Sequence, residues 1–413
     1  MTSAAVVSPA PPRLSEPEPS VLAALAARAG AALPQPGRLD DLIGRWRDCY
    51  ARFGQDPAGE LSYRDLRLEF CEELRPLARP ADADAGAAWA ELCLLLHVAP
   101  SPPALDPRAL ARRRAQRAGA GCPLAFDRPL FILSAPRSGS TLLFETLARF
   151  PEVWTVGEES HELIEGVAAL HPAAHGYASN RLGAADAAPA TAAALRERFA
   201  RRLLDRDRRA YSDLPEGLRP SSVRLLEKTP KNILRAPFLR AAFPGARFVL
   251  LYRRPEETLS SMLDGWRGGR FTAYRPLPGW PHRAWKFLLA PGWEKLAYRP
   301  LAEVVACQWK AAYSTALADL AGLPAGCWMA VDYARLVSCP QETLTRIAAF
   351  AEFEADARVA QVLAQGLPLS SMTFSAPDPG KWRKHAGELA AVLPGLREVA
   401  EAVERLCAEP WSR

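Results

Sequence analysis

The stretch "FILSAPRSGSTLL" (residues 131–143) decides how the rest of the chain is read. An apolar run of strand length stops at Pro136, and a turn of Arg137, Ser138 and Gly139 follows. Apolar residues then resume at Leu142, Leu143, Leu147 and Phe150 with helical spacing. A buried strand thus delivers the chain through a tight turn into a helix that begins near Ser140. Gly139 permits backbone angles that a side chain would obstruct. Ser138, Ser140 and Thr141 offer hydroxyls, the helix start presents unpaired N–H groups at its positive dipole end, and Arg137 adds a permanent charge. Together these make an anion cradle suited to a phosphate.

The same alternation continues outward from this turn. "PLFILSAP" (129–136) and "ARFVLLYR" (246–253) are continuous apolar runs, as parallel strands buried on both faces require, and "SVRLLEK" (222–228) and "CWMAVDY" (327–333) read as two more. Helical stretches lie near 141–150, 231–242, 256–265, 302–321 and 341–352. Strand–helix alternation of this kind predicts an α/β fold with a mostly parallel central sheet flanked by helices. Upstream, residues 1–20 are rich in Pro, Ser and Ala and read as a disordered tail. Residues 21–120 carry helical periodicity interrupted by "PSPPALDP" and read as a helical region and linker with no catalytic motif. The domain that carries the chemistry is therefore expected over 121–413.

A nucleoside-triphosphatase loop would need glycine where Ser134 stands and lysine where Ser140 stands, and only Gly139 and Thr141 fit it. A loop with its basic residue ahead of the glycine is a different design. "PRSGSTLL" closely resembles the phosphate loop of sulfotransferases that use 3′-phosphoadenosine 5′-phosphosulfate (PAPS). The resemblance implies a phosphate-loop-type α/β fold, PAPS as donor and 3′,5′-bisphosphoadenosine (PAP) as product. It implies that Arg137, Ser138, Gly139, Ser140 and Thr141 hold the 5′-phosphosulfate. It also asks for an arginine at a strand end with a serine eight residues on, for the 3′-phosphate. "ARFVLLYRRPEETLSSML" supplies Arg253 and Ser261 at that spacing, with Arg254 and Ser260 as neighbours one place out. An arginine can grip a phosphate through two parallel N–H bonds, which a lysine cannot. "PGKWRKH" (379–385) is similar to a stretch of cytosolic sulfotransferases that closes over the nucleotide, which makes Lys381, Trp382 and Arg383 further donor contacts by resemblance. "VDYARL" (331–336) looks like the family's strand-to-helix segment, with Ala334 where most relatives have an acidic residue.

Sulfuryl transfer calls for cations beside a leaving phosphate oxygen and a base beside the acceptor hydroxyl. Arg137 is the first cation. Lys228, in "LLEKTPKN", is the second; it sits at a strand end and resembles the lysine of tyrosylprotein sulfotransferases, with Thr229 and Asn232 placed to orient it or the acceptor. "PEVWTVGEESHELIEG" resembles the region that holds the general base in those enzymes. Glu159 is the first candidate there, His161 the second because cytosolic sulfotransferases use a histidine, and Glu158 the third because one extra residue before the glycine leaves the alignment open. His171 and His175 read as loop residues. No metal is expected.

Five of eleven tryptophans (266, 280, 285, 293 and 309) crowd into or beside 264–296, a stretch that interrupts the alternation. They read either as packing for a long loop or as the lining of an acceptor pocket. A pocket of that kind would favour a hydroxyl on an apolar small molecule or a carrier-protein-bound acyl chain. The net charge of +6 and the lack of a basic stripe argue against nucleic acid. Eight scattered cysteines carry neither metal spacing nor a disulfide framework, and no apolar run reaches the length of a membrane span, so a cytoplasmic location is expected. The rival readings are an ATP-dependent kinase with a related loop and a non-catalytic nucleotide-binding scaffold.

Overall fold

The computed structural model describes residues 124–409, except 269–270, 276, 325, 365, 368, 372–377 and 379, together with the isolated helical positions Ala24, Ala27 and Arg28. The chain divides into two units, Met1–Gly121 and Cys122–Arg413, and the central sheet belongs to the second. The tail expected over 1–20 and the helical region expected over 21–120 lie outside the described residues apart from those three positions.

The second unit opens with β1 (Ala125–Phe126), β2 (Leu130–Leu133), α1 (Ser140–Leu147), β3 (Val153–Trp154), α2 (His161–Glu165) and α3 (Pro189–Ala200). β4 (Ser222–Lys228), α4 (Ala236–Ala242), β5 (Arg247–Tyr252) and α5 (Pro255–Arg267) come next, then a hairpin of β6 (Thr272–Tyr274) and β7 (Trp285–Lys286). The chain continues through α6 (Leu301–Ala321), β8 (Trp328–Asp332), α7 (Tyr333–Ser338), α8 (Pro340–Ala351), α9 (Ala357–Ala364), α10 (Ala386–Leu389) and α11 (Arg397–Ala408).

Six strands form one parallel sheet in the order β1–β4–β2–β5–β8, with β3 sharing the outer edge of β4. All four residues of β2 are fully buried, and they alternate between two cores. Phe131 and Leu133 join Leu225, Phe248, Leu250, Phe238 and Trp309, while Leu130 and Ile132 join Val249, Leu251, Leu143, Leu147 and Ile347. Both faces are thus covered by helices, which is why the strands read as unbroken apolar runs. Each such side chain taken wholly from water contributes about 2 kcal/mol.

The register decides where the chemistry can sit. Ile132 pairs with Lys228, Leu133 with Leu250, and Tyr252 with Asp332. The carboxyl ends of β2, β4, β5 and β8 therefore reach the same edge, the side on which open parallel sheets bind ligands. The four predicted strands and the helices at 141–150, 256–265, 302–321 and 341–352 are present within a few residues. The helix expected over 231–242 is instead a 3₁₀ turn, Pro230–Leu234, followed by α4, with Pro237 in its first turn. A proline there lacks the N–H that a continuous helix needs.

The segment after α5 is a small aromatic core of its own. Trp280, Trp285 and Trp293 bury one another with Tyr274, Leu277, Leu289 and Val304, and Trp266 packs at their edge. Their indole N–H groups donate to Gln308, Ala284, Leu288 and Tyr177. Trp309 packs instead with Tyr252 and Tyr313 beneath the sheet. Of the two readings of these rings, packing holds. The hairpin is also tied to α5: Lys286 Nζ lies 3.3 Å from the Gly265 carbonyl and 2.6 Å from that of Trp266, a buried cation on the last carbonyls of the helix. Gly265 lacks the Cβ that would collide with Phe287, so hairpin and helix approach closely.

A buried ionic cluster fixes the hairpin to the body. Glu165 accepts from Lys231 Nζ with both oxygens at 2.9 Å, from Arg235 Nη2 at 2.8 Å and from Tyr274 Oη at 3.0 Å. Asn180 joins them and accepts from the Leu289 amide at 2.5 Å. Burial would raise the Glu165 carboxyl, but the Lys231 and Arg235 cations outweigh it and hold the group at about 2. A carboxylate depressed in this way contributes stability that is fully present above its unfolded value of about 4.3 and is lost as the pH falls toward 2. Glu165→Gln is expected to destabilise the fold by about 3 kcal/mol at neutral pH, because it strands two buried cations. The deficit should shrink between pH 5 and pH 3 in urea melts; a deficit independent of pH contradicts this account.

Candidate active site

The turn after β2 adopts the conformation its glycine foretells. Gly139 has φ of 88° and ψ of 11°, and a Cβ there would lie 2.3 Å from the Tyr333 ring. The left-handed backbone disfavours other residues, and the close approach of the Tyr333 ring excludes them. Arg137 is also left-handed, with φ of 67°. Gly139 precedes α1 with no side-chain cap, so the first N–H groups of that helix carry no side-chain partner. Ser140 is buried and Thr141 half-buried at this helix start. Ser138 is fully buried, and its hydroxyl lies 3.3 Å from Tyr313 Oη, which itself donates to the Leu251 carbonyl at 3.0 Å. Ser138 therefore turns its hydroxyl inward and has only its backbone N–H for a ligand. The Ser134 hydroxyl is buried with no hydrogen-bond partner among the described residues.

The two segments expected to grip anions meet. Arg137 Nε donates to Ser261 Oγ at 3.2 Å, and Arg253 Nη1 donates to the Arg137 carbonyl at 3.3 Å. The Arg253 guanidinium lies over the Tyr333 ring at 4.7 Å and donates through Nε to Glu257 at 2.9 Å. Arg254 is exposed and paired with Glu256, while Ser260 is buried. Arg253 and Ser261 are thus the members of the two pairs that contact Arg137. The Arg137 guanidinium also lies 4.9 Å from the centre of the Phe271 ring, which stacks on Phe287 of the hairpin.

Lys228, Glu159 and His161 form one linked set. Lys228 Nζ donates to Glu159 Oε1 at 2.5 Å, and His161 Nε2 lies 2.6 Å from Glu159 Oε2. Burial would raise the Glu159 carboxyl, yet the hydrogen bond from His161 and the charge of Lys228 hold it at about 2. It is ionised throughout the neutral range. With Nε2 engaged by the carboxylate, His161 Nδ1 is buried and unpartnered among the described residues. Glu158 is exposed, outside this set. His175 ends a short 3₁₀ turn, Pro172–His175, that His171 caps, and their ring nitrogens bond to the backbone of Ala169 and Ala173.

Lys381, Trp382 and Arg383 fall in a 3₁₀ turn, Lys381–His385, that docks on α5. Lys384 Nζ reaches Asp264 at 2.7 Å, His385 Nε2 reaches Asp264 at 3.1 Å, and Arg267 pairs with Glu388 at 2.7 Å. Asp264 lies one helical turn beyond Ser261, so the turn is carried beside the second grip. Among the described residues, no three His, Cys, Asp or Glu side chains are placed to hold a metal ion, and no helix is long and apolar enough to cross a membrane.

Sequence reasoning missed Tyr313, Phe271 and Glu227 as members of this region. Tyr313 and Glu227 lie within predicted secondary structure, and only folding shows which polar atom they face. Tyr333 was visible in "VDYARL", but not its role as the wall behind Gly139.

The chain matches the model of the sulfotransferase family over residues 129–357, more than half its length. Among solved structures it is similar to a sulfotransferase from Mycobacterium avium, at 14% identity with 98% of this chain and 100% of that one covered and a TM-score of 0.42. It is also similar to the sulfotransferase domain from the curacin biosynthetic pathway, at 18% identity, 64% and 98% coverage and a TM-score of 0.36. A third is the sulfotransferase domain of the Synechococcus PCC 7002 olefin synthase, at 19% identity, 64% and 96% coverage and a TM-score of 0.31. No curated protein matches the sequence. With the family model spanning the phosphate turn, the Glu159 segment, Lys228, Arg253 and β8, the chain belongs to the sulfotransferase family.

Proposed function

We propose that this sulfotransferase moves a sulfuryl group from PAPS to a hydroxyl of an apolar small molecule or a carrier-protein-bound acyl chain. The observation that carries the reading is the contact between Arg137 and Ser261: two grips separated by 124 residues touch at one point. A single ligand with phosphates at both ends fits that arrangement better than two separate anions. The uncapped helix start, the Tyr333-backed glycine and the two arginines fit the group.

When bound, PAPS supplies an electrophilic sulfuryl group on a phosphate leaving group. Backbone N–H groups from Ser138 to Thr141, with Arg137, would hold the phosphosulfate end, and Arg253 and Ser261 the 3′-phosphate. Glu159 is the base, taking the proton of the acceptor hydroxyl. Its depressed value makes it a weak base while Lys228 and His161 hold it. A Lys228 ammonium that turns toward phosphate oxygens leaves Glu159 more basic, so one movement serves both ends of the transfer. The Lys381–Arg383 turn would close over the nucleotide from its dock on α5. The tryptophans pack on one another, so an apolar acceptor finds support in the Phe271–Phe287 stack beside Arg137 rather than in them.

Titration calorimetry with PAP and no added metal should show a complex. Arg137→Ala and Arg253→Ala should each weaken it about 10- to 100-fold, the worth of a charge-assisted hydrogen bond. Gly139→Ala should abolish it. Equal affinity for PAP in all three variants contradicts the donor assignment.

Glu159→Gln and Lys228→Ala should lower kcat at least about 100-fold in a labelled-PAPS assay over a panel of hydroxylated acceptors, while PAP still binds. With Glu159 as base, the acid limb of kcat/KM lies below about pH 4; a limb near neutrality contradicts that role.

A further inference from the structure

Directly behind the set of Lys228, Glu159 and His161 lies a carboxylate that none of the roles above uses. Glu227 precedes Lys228 on β4, so the two side chains leave the strand on opposite faces. Glu227 is fully buried, as are Ser160, Thr229 and Asn232 around it. Its Oε1 accepts from Ser160 Oγ at 2.7 Å and from Thr229 Oγ1, and its Oε2 accepts from Asn232 Nδ2 at 2.7 Å. Thr229 Oγ1 in turn accepts from the Ser160 amide at 2.7 Å.

The chemistry of this node differs from that of the other buried glutamate. Glu165 is held by a lysine and an arginine, whereas Glu227 is hydrogen-bonded to two hydroxyls and an amide. Burial pushes its carboxyl up, against those three bonds and the Lys228 charge. Burying a carboxylate among neutral partners is costly, and an apolar residue would fill the same space at less cost. What an apolar residue cannot do is accept from three donors at once, which an ionised carboxylate can.

The donors come from two places. Ser160 lies between Glu159 and His161 in sequence, while Thr229 directly follows Lys228. The 158–161 segment has no other hydrogen-bonded anchor of this kind among the described residues: its attachment to β4 runs through Ser160, Thr229 and Glu227, and through the Lys228–Glu159 pair itself.

We propose that Glu227 is a positioning residue that locks the segment bearing Glu159 to the strand end bearing Lys228, and so sets the geometry between base and cation. The inference rests on the reading of those two residues as the reacting pair. Glu227 touches no ligand, so its removal should act on turnover and not on donor binding.

A polarity exchange tests this. With its oxygen toward Ser160 and Thr229, Glu227→Gln sets its NH₂ against the Asn232 NH₂; turned over, it makes both hydroxyls acceptors and leaves one of their two protons without a partner. Asn232 cannot relieve the clash by turning over, because its Oδ1 accepts from Arg235 Nη1 at 3.3 Å. The double change Glu227→Gln with Asn232→Asp restores every bond: the Gln oxygen still accepts from Ser160 and Thr229, its NH₂ donates to Asp, and Asp still accepts from Arg235. Rates from labelled PAPS and a hydroxyl acceptor are normalised to PAP-binding sites counted by calorimetry, which removes misfolded protein from the comparison.

Glu227→Gln is expected to lower kcat about 30- to 100-fold with donor KM and PAP affinity within about twofold, the signature of misplaced reacting groups. The double variant is expected to recover kcat to within about fivefold of the wild type. Should Glu227→Gln not fold, Ser160→Ala removes the hydroxyl's contacts with Glu227 and Thr229, leaves the amide bond to Thr229, and is expected to lower kcat about tenfold on the same readout. A kcat per binding site equal to wild type in Glu227→Gln, or in Ser160→Ala when the first variant is lost, overturns the proposal. So does a loss that falls on PAP affinity instead of kcat. A wild-type protein that binds PAP yet transfers no sulfuryl group to any hydroxyl overturns the parent reading, and this one with it.

Discussion

Parallel pairing around β2 is the constraint on which the rest depends. Because β4, β2, β5 and β8 all run the same way in fixed register, their carboxyl ends reach one edge. Lys228, the phosphate turn, Arg253 and Tyr333 are each the first residues past, or the last residues of, those strands. None of them needs an individual explanation for being near the others. A shift of β4 by a single residue would exchange Lys228 for Glu227 at the site and reverse its charge. The two covered apolar faces are what prevent that slip, so the core specifies the chemistry as much as the polar residues do.

Two buried carboxylates divide the work of holding loops onto this frame. Glu165 uses full charges, and it fastens α2, the turn after β4 and the aromatic hairpin together. Glu227 uses neutral donors and fastens shorter distances. The difference follows from what each must tolerate. A cation-rich node is strong but loses its hold once the carboxylate takes a proton. A node of hydroxyls and an amide is weaker but sharper in direction, since each bond must point at one oxygen.

Much of this was legible in the residues themselves. Unbroken apolar runs such as "FILSAP" and "FVLLY" announced buried parallel strands, and the order Arg–Ser–Gly–Ser–Thr announced the turn. The spacing of Arg253 and Ser261 is informative because a helix fixes side-chain direction: eight residues is close to two turns plus one position, which brings Ser261 to the side facing Arg137. The tryptophans were ambiguous because an aromatic ring is equally suited to a pocket wall and to a core, and only the indole partners distinguish the two. The strands β1 and β3 and the hairpin were missed because they are short or irregular, whereas α11, with Val399, Ala400, Val403 and Leu406 at helical spacing, was legible and went unread. Ser138 looked like a ligand hydroxyl in the sequence, whereas its direction depends on Tyr313, which lies 175 residues away.

The seating of the Arg137 guanidinium has one more implication. It rests on Ser261 to one side and over Phe271 to the other. The same cation thus serves the nucleotide grip and the segment leading into the hairpin. An anion that draws that guanidinium away from Phe271 costs the hairpin segment this contact, and the resulting coupling is reciprocal. Occupancy of the proposed donor site and order in the aromatic segment are therefore thermodynamically linked quantities.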